Sequence, residues 1–143
     1  MTGPKQAIKG QWMERKILIV DDEASTREFF KDVCADAGYT VIDADGAKRA
    51  QKILLKEKID VIFLDLKLFG VNGIELCRKI RKFHPLAIIY AITGWRALFE
   101  IEECREAGFD DYFTKPIDPD MLYKAIAEAF EKLDRWREWY KKI

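Results

Sequence analysis

Five side chains suited to phosphoryl chemistry each stand at the end of a short apolar run. Asp21 and Asp22 follow one run, Asp65 follows another, and Thr93 and Lys115 end two more. Three carboxylates at close range repel one another and lose hydration, and a divalent cation such as Mg²⁺ relieves that conflict. A hydroxyl and an ammonium are suited to the oxygens of a phosphoryl group. The set therefore indicates a metal-assisted phosphoryl-transfer site, provided that the fold brings the five side chains together.

The apolar runs alternate with amphipathic segments along the whole chain. The predicted strands are 16–20, 39–43, 60–65, 87–93 and 111–115. The predicted helices are 24–37, 46–57, 72–83, 96–107 and a long helix that begins at Asp118-Pro119. At the first helix, Ser25 and Glu28 are predicted to form a capping box and Gly38 suits the end.

This alternation predicts an α/β fold, a doubly wound five-stranded parallel sheet covered by helices on both faces. Strands that are apolar on both faces belong in such a sheet. Ligands bind there at the carboxyl ends of the strands, near the topological switch point. The five side chains are therefore expected to face one crevice.

Composition favours a single cytoplasmic domain. The chain has 143 residues, 49% of them hydrophobic, which is enough for one substantial core. Lys plus Arg equals Asp plus Glu, 25 each, so no net charge favours nucleic acid or anionic lipid. Three scattered cysteines without metal-ligand spacing are expected to be buried thiols in a reducing compartment. No apolar run approaches the roughly 20 residues that span a bilayer, and residues 1–12 lack the apolar centre of a signal peptide.

The segments around the five side chains resemble the receiver domain of two-component response regulators. ILIVDDE, VIFLDLKL with two later glycines, AITG and YFTKP occur in the family's order and spacing, over about residues 16–130. The resemblance implies a flavodoxin-like (βα)5 fold of the chemotaxis-regulator type, with strand order 2-1-3-4-5. It divides the chain into a flexible leader (1–14), a receiver domain (15–133) and an extension of the last helix (134–143).

The resemblance also implies a role for each carboxylate. Asp65 lies at the phosphoacceptor position, which takes a phosphoryl group from a phosphohistidine. Asp22 and Asp65 would bind Mg²⁺, or Mn²⁺ in its place, directly, and Asp21 would act largely through water. The backbone carbonyl of Lys67 would be a further metal ligand.

Three other positions match the phosphoryl-binding and switch residues of the family. Thr93 and Lys115 would contact the phosphoryl oxygens, and Tyr112 would be the aromatic residue that turns inward as Thr93 moves. The Lys115–Pro116 peptide is cis in the family.

Three positions depart from the family's pattern. Phe69 stands where the loop after the acceptor usually has proline. Lys67 and Trp95 occupy the places that set the lifetime of the phosphoryl group. Trp95 is expected to shield it and lengthen its life, whereas the direction of the effect of Lys67 is left open.

The implied function is that of a bacterial signalling switch, which catalyses only its own phosphorylation and dephosphorylation. The expected partners are a sensor histidine kinase or phosphotransfer protein, and either a downstream protein or an output domain. The output surface would be the fourth helix, the fifth strand and the last helix. Direct nucleic-acid binding and membrane association are not expected.

The last helix carries a second pattern, with apolar residues alternately four and three positions apart. This spacing is typical of a coiled-coil seam. Its members are Leu122, Ile126, Ala129, Leu133, Trp136, Tyr140 and Ile143. A frayed extension, a homodimer through this helix and a signalling helix that leads to an output domain all remain open.

Other interpretations of the acidic residues also remain open. Asp21 and Asp22 are alternatively caps of the first helix, and Asp65 is alternatively a turn former, but the four other matching segments favour the site. A haloacid-dehalogenase-like phosphatase also uses a strand-end aspartate with Mg²⁺, but its second aspartate is replaced here by Lys67. A flavodoxin-like carrier and a docking module that works without phosphorylation are further alternatives.

Overall fold

The short apolar segments are strands and the amphipathic segments are helices in the computed structural model, which describes residues 6–8, 11–68, 71–94 and 98–142. The strands among these residues are β1 (Gln6–Ile8), β2 (Gln11–Met13), β3 (Lys16–Val20), β4 (Thr40–Ala44), β5 (Val61–Asp65), β6 (Lys67–Leu68), β7 (Val71–Asn72), β8 (Ile88–Thr93) and β9 (Asp111–Thr114). The helices there are α1 (Ala24–Ala35), α2 (Ala47–Lys56), α3 (Gly73–Phe83), α4 (Leu98–Ala107) and α5 (Pro119–Lys141).

The central sheet is parallel and has the order β4-β3-β5-β8-β9. Numbered within the sheet, that order is 2-1-3-4-5, so the predicted fold is confirmed. Ile17 pairs with both Val41 and Val61, and Asp65 pairs with Ile92. This register brings the carboxyl ends of the strands to one edge, where the predicted site lies.

Alternate residues of the strands bury two apolar layers, one on each face of the sheet. Ile17 and Phe63 face α1 and α5, together with Leu122 and Ile126 of α5. The residues between them in sequence, such as Leu18, face α2, α3 and α4. β5 is buried on both faces, as expected for a central parallel strand.

The helix ends follow local chemistry, with one correction. Asp118 accepts a hydrogen bond from the backbone N–H of Asp120 (2.9 Å) and Pro119 occupies the first turn of α5, as predicted. The capping box at Ser25 and Glu28 is wrong, because α1 begins at Ala24 and places Ser25 inside the first turn. Gly38 follows α1 with a φ of 82°, the left-handed conformation that favours glycine.

The predicted leader contains structure. β1 and β2 pair as an antiparallel ribbon, although a flexible segment was expected over 1–14. At the other end, α5 continues unbroken through the predicted extension 134–143, as far as Lys141. Arg137 forms an ion pair with Asp60 (3.0 Å), which ties the start of this extension to the domain. The domain boundaries themselves stay predictions.

Apolar helices long enough for a bilayer are absent from the described part of the chain. Cys34, Cys77 and Cys104 are all buried thiols, as expected. Cys34 lies in the layer under α1 and α5, and the other two lie in the opposite layer.

Candidate functional site

Asp21 and Asp22 lie directly after β3 and differ sharply in exposure. Asp21 is fully buried, whereas Asp22 is exposed. The backbone N–H of Asp21 donates to the carbonyl of Ala44 (3.1 Å), and Oδ1 of Asp21 accepts from the backbone N–H of Glu23 (2.8 Å). Arg27 donates to the Asp21 carbonyl (2.8 Å). The strand end is therefore held in place from three sides, with one carboxylate inward and one outward.

Asp65 ends the central strand β5 and is also buried, with 5% of its surface exposed. Its Oδ1 accepts a hydrogen bond from the backbone N–H of Lys67 (2.9 Å). Carboxylate oxygens of Asp21, Asp22 and Asp65 all lie within 4.8 Å of one another. The structure thus brings the three predicted carboxylates together.

Lys115 supplies the positive charge of the site. Its Nζ lies 3.0 Å from Oδ2 of Asp21 and 3.4 Å from Oδ2 of Asp65. It also donates to the exposed carboxylate of Glu23. The peptide between Lys115 and Pro116 is cis, in agreement with the family pattern. One ammonium therefore bridges two buried carboxylates and one exposed carboxylate.

Glu23 was missed by the sequence analysis. It was available as the last residue of ILIVDDE, but local spacing does not reveal that a lysine 92 positions away lies beside it.

The pKa values of these groups follow from burial and charge. Burial, with a further contribution from the Asp65 charge, raises the pKa of Asp21 to about 6, although the Glu23 amide and Lys115 oppose the rise. Lys115 lowers the pKa of Glu23 by hydrogen bonding and by its charge. Burial alone would lower the pKa of Lys115, but the hydrogen bonds to Glu23 and Asp21 and the charge of Asp65 raise it overall.

These residues fit a hard divalent cation. Oδ2 of Asp21 is buried and makes no hydrogen bond with good geometry, although the Lys115 ammonium is near it. A single ammonium does not balance the charge of three close carboxylates. Oxygen ligands with a surplus of negative charge are what Mg²⁺ requires.

Two short strands lie between Asp65 and α3. Lys67–Leu68 (β6) pairs with Val71–Asn72 (β7) as a short antiparallel ribbon. Asn72 then caps α3 by accepting from the backbone N–H of Ile74 (2.8 Å). The side chain of Lys67 is exposed. Phe69 and Trp95 lie outside the described residues.

Gly73, the first residue of α3, was given no role by the sequence analysis. A Cβ at this position would lie 2.2 Å from the carbonyl oxygen of Asp65. The helix therefore approaches the end of β5 more closely than any larger residue allows. Gly73 is the second of the two later glycines in the family pattern, so the pattern included this residue without showing why it must be glycine.

Thr93 and Tyr112 lie on the neighbouring strands β8 and β9, where Thr93 pairs with Thr114 and Tyr112 pairs with Ala91. Thr93 ends β8 and is buried, and its carbonyl accepts from the backbone N–H of Lys115 (2.8 Å). Tyr112 of β9 is half-buried and lines a cavity of about 280 Å³ together with Met121 of α5. The structure therefore joins the Thr93 and Lys115 backbones directly and sets Tyr112 between the core and the α5 surface.

Comparison with known proteins agrees with this geometry. The family model of the response regulator receiver domain matches residues 17–127. A cyclic di-GMP phosphodiesterase of Thermotoga maritima is 33% identical over 113 residues, which cover 79% of this chain and 30% of that protein. Sporulation initiation phosphotransferase F of Bacillus subtilis is 32% identical over 114 residues, which cover 80% of this chain and 92% of that protein.

A solved structure gives the same result. A CheY-like response regulator receiver domain protein from Methanospirillum hungatei JF-1 superimposes with a TM-score of 0.82 at 28% identity, over 86% of this chain and 98% of that one. The chain spans less than a third of the length of several curated relatives that it matches. The chain belongs to the receiver domain family of two-component response regulators.

Proposed function

We propose that this chain is a phosphorylation-controlled switch in which Asp65 accepts the phosphoryl group. The observation that carries the proposal is the position of Asp65, buried at the end of the central strand with the Lys115 ammonium 3.4 Å from its Oδ2. A carboxylate that only formed a turn would gain nothing from this burial. The family match supports the same role, because phosphoryl acceptance is general in receiver domains.

The metal would be held by Asp22 and Asp65 directly, by Asp21 largely through water, and by the carbonyl of Lys67. Mg²⁺ or Mn²⁺, when bound, neutralises negative charge on the phosphoryl oxygens and on the carboxylates. The amides of Glu23 and Lys67 meanwhile fix one oxygen each of Asp21 and Asp65. The second oxygen of Asp65 is thereby oriented toward Lys115.

The transfer is a displacement at phosphorus. An Asp65 oxygen forms the new P–O bond while the P–N bond to the histidine of the partner breaks, and the electron pair leaves with the imidazole. The Lys115 ammonium and the Thr93 hydroxyl bind the phosphoryl oxygens. The buried floor of the site under Asp65 limits the access of water to the product.

The switch would follow from the exchange of partners by Lys115. Before phosphorylation its ammonium is shared among Asp21, Asp65 and Glu23. A phosphoryl group on Asp65 competes for the same ammonium and draws Thr93 inward, so that one of two pre-existing arrangements is favoured. Tyr112 would fill the space that Thr93 leaves, changing the surface formed by α4, β9 and α5.

We propose that the site catalyses only the phosphorylation and dephosphorylation of this protein and has no separate substrate. The position of the second aspartate of haloacid-dehalogenase-like phosphatases is Lys67, so the second carboxylate of that catalytic pair is missing here. The phosphodiesterase relative shares only a receiver-sized part with this chain. We therefore propose a cytoplasmic receiver that a sensor kinase or phosphotransfer protein phosphorylates, and that acts on a downstream protein or on an output domain.

The test is phosphorylation by a small donor. The protein is incubated with Mg²⁺ and acetyl phosphate, the acyl phosphate is reduced with borohydride, and the modified residue is located by peptide mass spectrometry. We expect modification at Asp65, none in Asp65→Asn, and an unchanged yield in Asp45→Asn, an exposed aspartate after β4. A product that survives Asp65→Asn, or no product in the wild type, contradicts the proposal.

A further inference from the structure

A groove between α2 and α3 forms a second feature, separate from the acidic site and from the proposed output surface. Two cavities of about 390 and 520 Å³ lie along it and share Gln51 and Lys79 as lining residues. The groove therefore runs from the loop after β4 to the carboxyl end of α3.

The floor and one rim of the groove are apolar. Leu54 and Ile80 are buried at its base, and Leu55 and Phe83 stand at its end with 87% and 82% of their surface exposed. Exposure of two large hydrophobic side chains beside an apolar cavity costs solubility unless a partner covers them. Packing of the domain itself does not require either residue.

The sides of the groove are strongly basic. Its lining includes five cationic side chains against a single acidic residue, Asp45. They are Lys48, Arg49, Lys52, Lys79 and Lys82. Within the part of the chain that the structure describes, none of the five lies within ion-pair distance of a carboxylate. The chain as a whole carries 25 acidic and 25 basic residues, so this concentration is local.

We propose that the groove between α2 and α3 is a docking site for an acidic amphipathic helix of a partner protein. An apolar floor with charged walls is the arrangement in which a helix lays its apolar face into a groove and pairs its polar flanks with the walls. The basic walls require acidic flanks, which select the partner and raise its rate of association.

Two other occupants fit less well. A second copy placed by a two-fold axis would set the same basic walls against each other, which is repulsive. A flat anionic membrane would contact Leu55 and Phe83 but would not fill the concave floor at Leu54 and Ile80. A convex element such as a helix fills both.

The test selects helices without assuming their sequence. A phage-displayed library carries apolar residues at positions i, i+3, i+4 and i+7, and Glu, Lys, Gln or Ser in equal proportion elsewhere. Selection on the full chain should enrich acidic helices. Their affinity should fall at least about tenfold for Leu55→Glu and for Phe83→Glu, and should be unchanged for Met121→Glu, which alters an exposed apolar residue on α5.

A charge reversal makes the test sharper. Selection repeated on the double variant Lys52→Glu, Lys82→Glu should enrich basic helices instead, whereas Lys124→Glu on α5 should leave the acidic preference unchanged. The groove variants should accept a phosphoryl group from acetyl phosphate at the wild-type rate, and the α5 variants should keep the wild-type circular dichroism spectrum, which shows that all of them are folded.

Several results would overturn the proposal. They are a selection without enriched binders, binders of neutral or basic character on the wild type, and binders that Met121→Glu weakens and Phe83→Glu does not. Sedimentation of phosphatidylglycerol vesicles with the wild type but not with Phe83→Glu would assign the surface to a membrane. A dimer that Phe83→Glu dissociates would assign it to a second copy.

Discussion

The first residue of α3, Gly73, is in direct contact with the backbone of Asp65. A Cβ at Gly73 would lie 2.2 Å from the Asp65 carbonyl oxygen and 2.8 Å from Cα of Leu66. The N–H of Gly73 also donates to the Leu66 carbonyl (3.0 Å). Both neighbours are backbone atoms of the sheet and its following turn, so neither can move aside as the end of a flexible side chain does. The position of the acceptor carboxylate is therefore linked to the start of a helix.

Gly73→Ala should destabilise the fold and slow phosphorylation together. The added methyl group must push α3 away from β5, at a cost of about 2–3 kcal/mol in the free energy of unfolding. Urea denaturation and the acetyl phosphate reaction measure the two effects. Gly46→Ala is the control, because a Cβ there has no atom within 4 Å and its φ of −172° suits any residue. Equal stability of the two variants would contradict the close contact.

Asp21 should give the metal-free protein a distinct pH dependence. Burial raises its pKa to about 6, above the value of ~3.9 expected in the unfolded chain. Between these two values the folded state binds a proton that the unfolded state lacks, so the free energy of unfolding falls as the pH rises. In EDTA, Asp21→Asn should nearly equal the wild type near pH 4 and exceed it by about 3 kcal/mol near pH 7.

Urea unfolding across this range measures that difference, with Asp45→Asn as the exposed control. Added Mg²⁺ should reduce it, since the cation stabilises the ionised carboxylate. If the free energy of unfolding of the wild type does not fall between about pH 4 and pH 6, the raised pKa of Asp21 is contradicted.

Lys115→Met should slow phosphoryl transfer without preventing the binding of Mg²⁺. The ammonium is the only cation that the described site places between Asp21 and Asp65, at 3.0 and 3.4 Å. Loss of a preorganised charge of this kind should slow the acetyl phosphate reaction about 100-fold. Mg²⁺ should still bind, because the three carboxylates remain. Lys124→Met, an exposed lysine of α5, should react normally, and a variant at position 115 that keeps the wild-type rate would remove Lys115 from the mechanism.

Trp95→Ala should shorten the lifetime of the phosphorylated protein. The indole is expected to shield the acyl phosphate, and its removal should admit water and speed hydrolysis by about threefold to tenfold. Decay of the phosphorylated protein after removal of the donor gives the rate. Trp139→Ala provides a matched control on α5, and a rate unchanged by Trp95→Ala would reject the shielding role. Lys67→Ala in the same assay would establish the direction of the Lys67 effect.

The end of α5 should carry any self-association of the phosphorylated protein. Trp136 and Trp139 are about half exposed, whereas Leu133 one turn earlier is buried, so the apolar stripe leaves the core between them. We expect the full chain to dimerise with beryllofluoride, and both a chain ending at Leu133 and the variant Trp136→Ser, Trp139→Ser to stay monomeric by sedimentation. The shortened chain loses the Arg137–Asp60 and Arg15–Asp134 pairs, each of which should cost at most ~1 kcal/mol. Identical behaviour of all three would exclude this seam.

The strands and the site were predictable because both depend on short, local patterns, whereas the strand order followed from the family resemblance. The buried run 61–65 predicts a central strand, and the rule for parallel sheets then places Asp65 beside Asp21 and Lys115. Contacts that depend on three-dimensional approach were not predictable. The hydrogen bond from Lys115 to Glu23 joins residues far apart in sequence, and the close approach of Gly73 depends on the docking angle of α3. The predicted capping box at Ser25 and Glu28 is wrong because α1 already begins at Ala24. The two residues keep the spacing of a capping box, but both lie inside the helix.

The buried cysteines make it possible to measure how often the apolar layer on each face of the sheet opens. Burial raises the pKa of Cys34 and of Cys77 to about 12, so the reactive thiolate is essentially absent while the layers stay packed. Cys34 reports on the layer under α1 and α5, and Cys77 on the layer under α2, α3 and α4. The rate at which a thiol reagent labels each cysteine therefore measures how often that layer opens, before and after phosphorylation, in the unaltered protein.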